Sequence, residues 1–252
     1  METNSRKLKL NNKVVFITGV GKGIGLSILH KLIDEGAYVY AITRSKKDVQ
    51  NLNSKNLKMY IGDVNNIKLI NKILNQSIID KKPINTIINN AGIRFRKDFI
   101  NITKQEVKKV FDTNYYSIFF ISQIFIRFWI KNKLSGNILN ISSIVSDIGF
   151  SQLSVYGSTK SAINYLTKSL ASEYSNKKIR VNSIKPGFIK TSYYKKFKKN
   201  KKKLYKWTLD RTPMRRWGEA LEVANLAIFL VSDLSKYLNG EIITIDGGWT
   251  NT

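Results

Sequence analysis

Short apolar runs alternate along this chain with stretches whose apolar positions recur at three and four. Val14–Thr18, Tyr38–Ile42, Leu57–Ile61, the run opening at Thr86, Gly136–Ser142, Arg180–Ile184 and Glu241–Ile245 predict buried strands. Leu26–Glu35, the stretch that runs to about Ile79, Thr103–Lys131 and Leu221–Leu230 predict helices. Strand–helix alternation of this kind predicts an α/β fold. The expected form is a single doubly wound Rossmann-type domain over residues 1–252, a seven-stranded parallel sheet with helices on both faces. No repeat of solenoid length and no interdomain linker interrupts it.

Two stretches depart from the pattern. Thr103–Lys131 carries Phe119, Phe120, Phe125, Phe128 and Trp129 on several helix faces, which predicts burial on more than one side. A subunit interface and plain core packing compete to explain it. Residues 192–216 contain KKFKKNKKK. A block of like charges reads as a solvated, mobile segment, here a basic lid over a substrate site.

Composition narrows the chemistry. Hydrophobic residues make up 42% of 252, enough for a sizeable core. There is no cysteine, which excludes disulfides and thiolate metal sites, and the one histidine, His30, falls in a predicted helix as a surface or packing residue, which speaks against a Ser-His-Asp triad or a multi-histidine metal site. No metal is expected. Absence of cysteine and of a signal-like apolar N-terminus fits a cytoplasmic protein. The most apolar run, Tyr115–Ile130, is broken by Ser117, Gln123 and Arg127 and predicts no membrane span. The net charge of +26 would attract anionic partners. Lys, Asn and Ile are abundant throughout, so compositional drift is the simpler account. No nucleic-acid-binding motif is present.

The candidate chemistry lies in three places. Strand one ends in Thr18-Gly19 and leads through Lys22, Gly23, Ile24 and Gly25 into a helix, the context of a phosphate-binding loop. After strand two stand Thr43-Arg44-Ser45 with no acid, and Lys22 adds a second cation. Basic residues there suit a 2′-phosphate, so NADP(H) is expected over NAD(H). Asp63, at the end of strand three, is placed to accept the adenine amino group. The third place is the stretch from Ser143 to Lys160. Tyr156 and Lys160, at i and i+4, share a helix face, and a neighbouring ammonium lowers a phenol's pKa. Such a tyrosine exchanges a proton with a ketone or alcohol oxygen, and Ser143 is positioned to hydrogen-bond the same oxygen.

Together TGVGKGIG (18–25), GDV (62–64), NNAG (89–92), Asn114, ISS (141–143), YGSTK (156–160), RVNSIKPGFIKT (180–191) and IDGG (245–248) resemble the short-chain dehydrogenase/reductase family. The resemblance runs from Lys13 to Gly248. It implies Tyr156 as general acid/base and Lys160 as the residue that lowers its pKa and holds the nicotinamide ribose. It implies Ser143 as orienter of the substrate oxygen and Asn114 as holder of a relay water. Gly19, Gly23, Ile24 and Gly25 would line the pyrophosphate, and Asp63 and Val64 would meet adenine. Asn90, Ala91 and Gly92 would lie on the ribose side, with Pro186, Gly187, Ile189 and Thr191 at the carboxamide and phosphates. Asn85 stands where the family often has aspartate. A homo-oligomer, tetramer or dimer, is implied as well.

For substrate, Arg94, Arg96 and the stretch Asp210–Glu219 resemble gluconate 5-dehydrogenases and related polyol or sugar-acid enzymes. PGFIKT also resembles 3-oxoacyl-(acyl-carrier-protein) reductases. The expectation is a small acidic polyol or sugar ketone bound near Arg94 and Arg96. The alternative is an acyl thioester whose acidic carrier protein docks on residues 192–216. A non-catalytic nucleotide- or nucleic-acid-binding role is the distant alternative.

Overall fold

A computed structural model describes residues 8, 10–46, 49, 52–192 and 194–252. Seven strands form one sheet: β1 (Val14–Thr18), β2 (Tyr38–Thr43), β3 (Leu57–Ile61), β4 (Thr86–Asn89), β5 (Gly136–Ile141), β6 (Ile179–Pro186) and β9 (Ile242–Ile245). Their order is β3-β2-β1-β4-β5-β6-β9, every pair parallel. A separate two-stranded pairing joins β7 (Ile189–Lys190) to β8 (Gly218–Glu219).

The central strands β1 and β2 read as nearly continuous apolar runs because both sheet faces are covered there. Val15 and Ile17 of β1 point to a core shared with Ile28, Leu29 and Leu32 of α1 (Gly23–Asp34) and Val223 and Ala227 of α8 (Ala220–Val231). Phe16, between them, points the other way. It packs with Ile70 and Ile73 of α2 (Ile67–Ile79) and with Phe125 of α4 (Ser117–Lys131). Asn85 ties the sheet's entry edge: its Oδ1 accepts from Val14 N at 3.1 Å and its Nδ2 donates to Asn12 O at 3.0 Å.

The chain winds outward from β1 through β2 to β3, then returns to add β4 on the other side. A crevice therefore opens at the carboxyl ends of β1 and β4, where open α/β sheets bind ligands.

The helix expected over Thr103–Lys131 is broken. Lys104–Phe111 (α3) begins at a Thr103–Glu106 capping box, Asp112–Tyr116 forms a π turn, and α4 follows. Asn114 lies in that turn, fully buried. The extra residue of a π turn lets a mid-helix polar side chain meet partners off the helix axis.

The lysines between residues 194 and 206 are exposed, as expected of a solvated block, but the segment is helical. Tyr194–Asn200 (α6) and Lys202–Arg211 (α7) are helices. Aromatics interleaved with the lysines explain them: Tyr194, Phe197 and Tyr205 lie 5.1, 5.1 and 5.6 Å from Trp217, ring centroid to centroid. Trp217 donates its indole N–H to Thr208 Oγ1 at 2.8 Å. Among the described residues no helix is long and apolar enough to cross a membrane.

Candidate active site

The crevice is built around Thr18. Its hydroxyl oxygen accepts from Asn90 N at 3.1 Å and Ala91 N at 3.0 Å, which docks the turn after β4 onto the end of β1. Asn90 Nδ2 answers by donating to the carbonyls of Thr18 at 3.0 Å and Gly19 at 2.9 Å. Gly19 has φ +73°, and a Cβ there would sit 2.7 Å from Ala91 Cα. At Gly25 a Cβ would lie 2.3 Å from Gly19 O. The helix α1 then starts at Lys22 with no side-chain cap and no acid in its first turn. Close backbone approach and uncapped N–H groups fit a pyrophosphate. The residues present therefore suit a dinucleotide.

Part of the sequence-predicted cofactor set lines two cavities, while Gly19, Gly23, Gly25 and Ala91 line neither. Ile24, Asn90, Gly92, Pro186, Gly187, Ile189 and Thr191 line the larger, of about 750 Å³, with Ser143, Tyr156 and Lys160. Arg44 and Asp63 line the smaller, of about 300 Å³, together with Lys108 and Lys109. Lys22 is exposed beside the glycine turn, and Val64 is buried in the α2-side core.

Tyr156 and Lys160 project from α5 (Ser154–Tyr174), which packs along β6, and Ser143 follows β5. Lys160 is buried; its Nζ donates to Ile141 O at 2.7 Å and lies 5.8 Å from the centroid of the Tyr156 ring. Asn114 Oδ1 accepts from Ile93 N at 2.8 Å, while its Nδ2 donates to Ile93 O at 3.0 Å and Thr159 Oγ1 at 3.3 Å. Asn114 thereby ties the turn carrying Gly92 to α5.

The electrostatics correct one expectation. Lys160 was expected to pull the Tyr156 pKa down, but burial pushes that phenol above its ordinary value. The opposing pull comes from the Arg94 guanidinium and then from a hydrogen bond with Ser143. Burial also drives the Lys160 ammonium down to about 8. Lys160 thus loses its proton before the phenol does, and is neutral across the phenol's own titration. At pH 7 it is charged.

Sequence reasoning missed most of the cavity wall. Phe150, Phe188, Trp207, Arg211 and Trp249 line it alongside Arg94 and Arg96. The available signal was the clustering of large aromatics outside the periodic elements. Phe150 stacks on Trp249, with ring centroids 5.4 Å apart and planes at 22°. Arg211 caps the Trp249 ring at 4.1 Å. Arg96 Nε donates to Gln152 Oε1 at 2.8 Å. His30 is exposed on α1, away from this cavity.

A family model described as enoyl-(acyl carrier protein) reductase matches residues 19–250. The chain is 35% identical to a 3-oxoacyl-(acyl-carrier-protein) reductase of Buchnera aphidicola, over 96% of this chain and 98% of that one. A gluconate 5-dehydrogenase from Burkholderia cenocepacia, solved with NADP and tartrate, superposes with TM-score 0.89 at 26% identity, covering 98% of each chain. A 4-hydroxyisoleucine dehydrogenase solved with NADH gives TM-score 0.89 at 28% identity, over 95% of this chain and 99% of that one. The ordered motifs, the sheet order and these matches agree: the chain belongs to the short-chain dehydrogenase/reductase family of NAD(P)-dependent oxidoreductases.

Proposed function

We propose that this protein interconverts a ketone and a secondary alcohol with NADP(H), using Tyr156 as the proton donor and acceptor. The single observation that carries this reading is Tyr156, Lys160 and Ser143 lining one cavity with Ile24 of the glycine turn and Asn90 and Gly92 of the turn after β4. The cofactor, when bound, supplies or accepts the hydride. Ser143 orients the carbonyl oxygen. Tyr156 is neutral at pH 7, because burial raises its pKa, and gives its proton to that oxygen. The phenolate left behind sits beside the Lys160 ammonium. Asn114, held by Ile93 and Thr159, fixes α5 against the turn after β4 and holds the relay water toward Lys160.

Gly19, Gly23, Ile24 and Gly25 take the pyrophosphate. Asp63 and Val64 take adenine, Asn90 to Gly92 the ribose side, and Pro186, Gly187, Ile189 and Thr191 the carboxamide and phosphates. Arg44, with Lys108 and Lys109 on the same small cavity and Lys22 on the glycine turn, favours a 2′-phosphate and so NADP(H). Helices α6 and α7 act as the lid of the single domain. Exposed Tyr116 and Phe120 on the π turn and α4, and Tyr165 on α5, support assembly into a dimer or tetramer. A cytoplasmic setting completes the reading.

On substrate, Arg94 and Arg96 at the cavity support an acidic small molecule, as a sugar-acid dehydrogenase would need. A second reading, reduction of a 3-oxoacyl thioester, is favoured by the lysines of α6 and α7 beside the cavity mouth, which suit an acidic carrier protein. NADPH oxidation measured in parallel with 2,3-butanedione, 5-ketogluconate and an acetoacetyl thioester tests both. Turnover of the dione reports ketone reduction itself; preference for 5-ketogluconate over the thioester supports the first reading, and the reverse preference supports the second. No turnover of any ketone contradicts both.

A further inference from the structure

The larger cavity has a wall that a sugar does not need. Phe150, Trp249 and Trp207 meet there, with Trp207 edge-on to Phe150 at 6.3 Å and 5.7 Å from Trp249. Phe188 closes the same cluster, 5.8 Å from Trp249. Trp207, on α7, keeps 40% of its surface exposed. An indole left open on a cavity wall is apolar area that an occupant removes from water. Flat rings gain most from it, because aromatic pairs have preferred stacked and edge-on geometries. A polyol, by contrast, must exchange each hydroxyl's water bonds for protein bonds.

The charges on the lining have one sign. Arg94, Arg96, Lys160 and Arg211 line the cavity, and among the described residues no aspartate or glutamate does. Arg211 stands at the end of the aromatic wall, 4.1 Å over Trp249 and 5.9 Å from the Trp207 ring. Its Nη2 donates to Thr252 O at 3.0 Å, which holds the guanidinium in place. A guanidinium fixed at the end of a ring cluster is placed to receive a carboxylate while the ligand's rings lie against Trp207.

We infer that the ketone this site takes carries a flat aromatic body and an anionic group, the first against Trp207 and Phe150, which the buried Trp249 backs, and the second against Arg211. This rests on the ketone-reductase reading above and replaces the polyol part of the substrate expectation with an aryl keto acid.

The experiment compares kcat/KM for NADPH-dependent reduction of 4-oxo-4-phenylbutanoate, its methyl ester, 5-ketogluconate, an acetoacetyl thioester and 2,3-butanedione, whose small activated carbonyl reports the chemistry alone. The inference expects the aryl keto acid to exceed 5-ketogluconate by at least about tenfold and its own methyl ester by about fivefold. Trp207→Ala should lower the ratio of aryl keto acid to butanedione by about fivefold or more. Arg211→Met should bring the acid-to-ester ratio toward one. Preference for 5-ketogluconate or for the thioester overturns the inference while leaving ketone reduction intact. So do selectivity ratios that neither variant moves. Failure to reduce any of the five, butanedione included, sinks the underlying reading and the inference together.

Discussion

Lys160 reaches past the Tyr156 ring: its Nζ is 5.8 Å from the ring centroid and bonds the Ile141 carbonyl at 2.7 Å. The lysine is held by the strand that carries the serine, not by the tyrosine. Its proton is lost near pH 8 because burial disfavours the charge. On the proposed mechanism, ketone reduction needs a neutral Tyr156 and a charged Lys160. The first condition holds through the neutral range, since burial raises the phenol's pKa. The second fails as pH rises through about 8. The kcat for reduction should therefore be level below that pH and fall above it; a profile flat to pH 10 would contradict the assignment.

Burying that ammonium also costs stability. A lysine normally titrates near 10.5, so the unfolded chain binds this proton more tightly than the folded one. The cost is fully present below pH 8 and fades between about 8 and 10.5. At pH 7 the shift corresponds to about 3 kcal/mol, from which loss of the bond to Ile141 O subtracts about 1 kcal/mol. Lys160→Met should abolish turnover yet raise the melting temperature by a few degrees at pH 7. Thermal scans at pH 7 and pH 10 check this; a lower melting temperature than wild type at both would contradict it.

Arg44 lines the small cavity with Asp63, at the end of β2 where the ribose hydroxyls are read. Arg44→Asp removes a cation and adds a 2′-hydroxyl acceptor. The ratio of NADPH to NADH activity should fall by at least about tenfold, a change of ~1.4 kcal/mol. Steady-state kinetics with both nucleotides decide it, and an unchanged ratio would pass the role to Lys22, Lys108 or Lys109.

Thr18 accepts two backbone N–H bonds with one oxygen. Thr18→Val keeps the shape and strands both donors, at about 1–3 kcal/mol each. The turn at 90–92 should loosen, with weaker NADPH binding and a lower melting temperature. Thr18→Ser should restore both. Equal loss in the serine variant would mean that the methyl group, not the hydroxyl, holds the turn.

The sheet was legible because its central strands are buried on both faces, so Val14–Thr18 and Tyr38–Thr43 stand out as nearly unbroken apolar runs. The glycine turn was legible for the same kind of reason: Gly19 and Gly25 are close-approach positions, and spacing alone marks them. The break around Asn114 was not, because Asp112–Tyr116 contains no glycine or proline, and a π turn needs neither. Helices α6 and α7 were hidden by their lysines, whose interleaved aromatics matter only once Trp217 arrives from further along the chain. The cavity wall draws Phe150, Phe188, Trp207 and Trp249 from four separate segments, so no local pattern announces it. Nor does sequence weigh burial against a neighbouring cation, which is why the direction of the Tyr156 shift came out reversed.

The most direct test is Tyr156→Phe, assayed for NADPH binding by fluorescence titration and for turnover of 2,3-butanedione. The account predicts binding close to wild type and a loss of turnover of at least about 10²-fold, the scale of a general acid's contribution. Turnover at the wild-type rate in a protein that still binds NADPH would contradict it, and would move the proton donor elsewhere in the cavity.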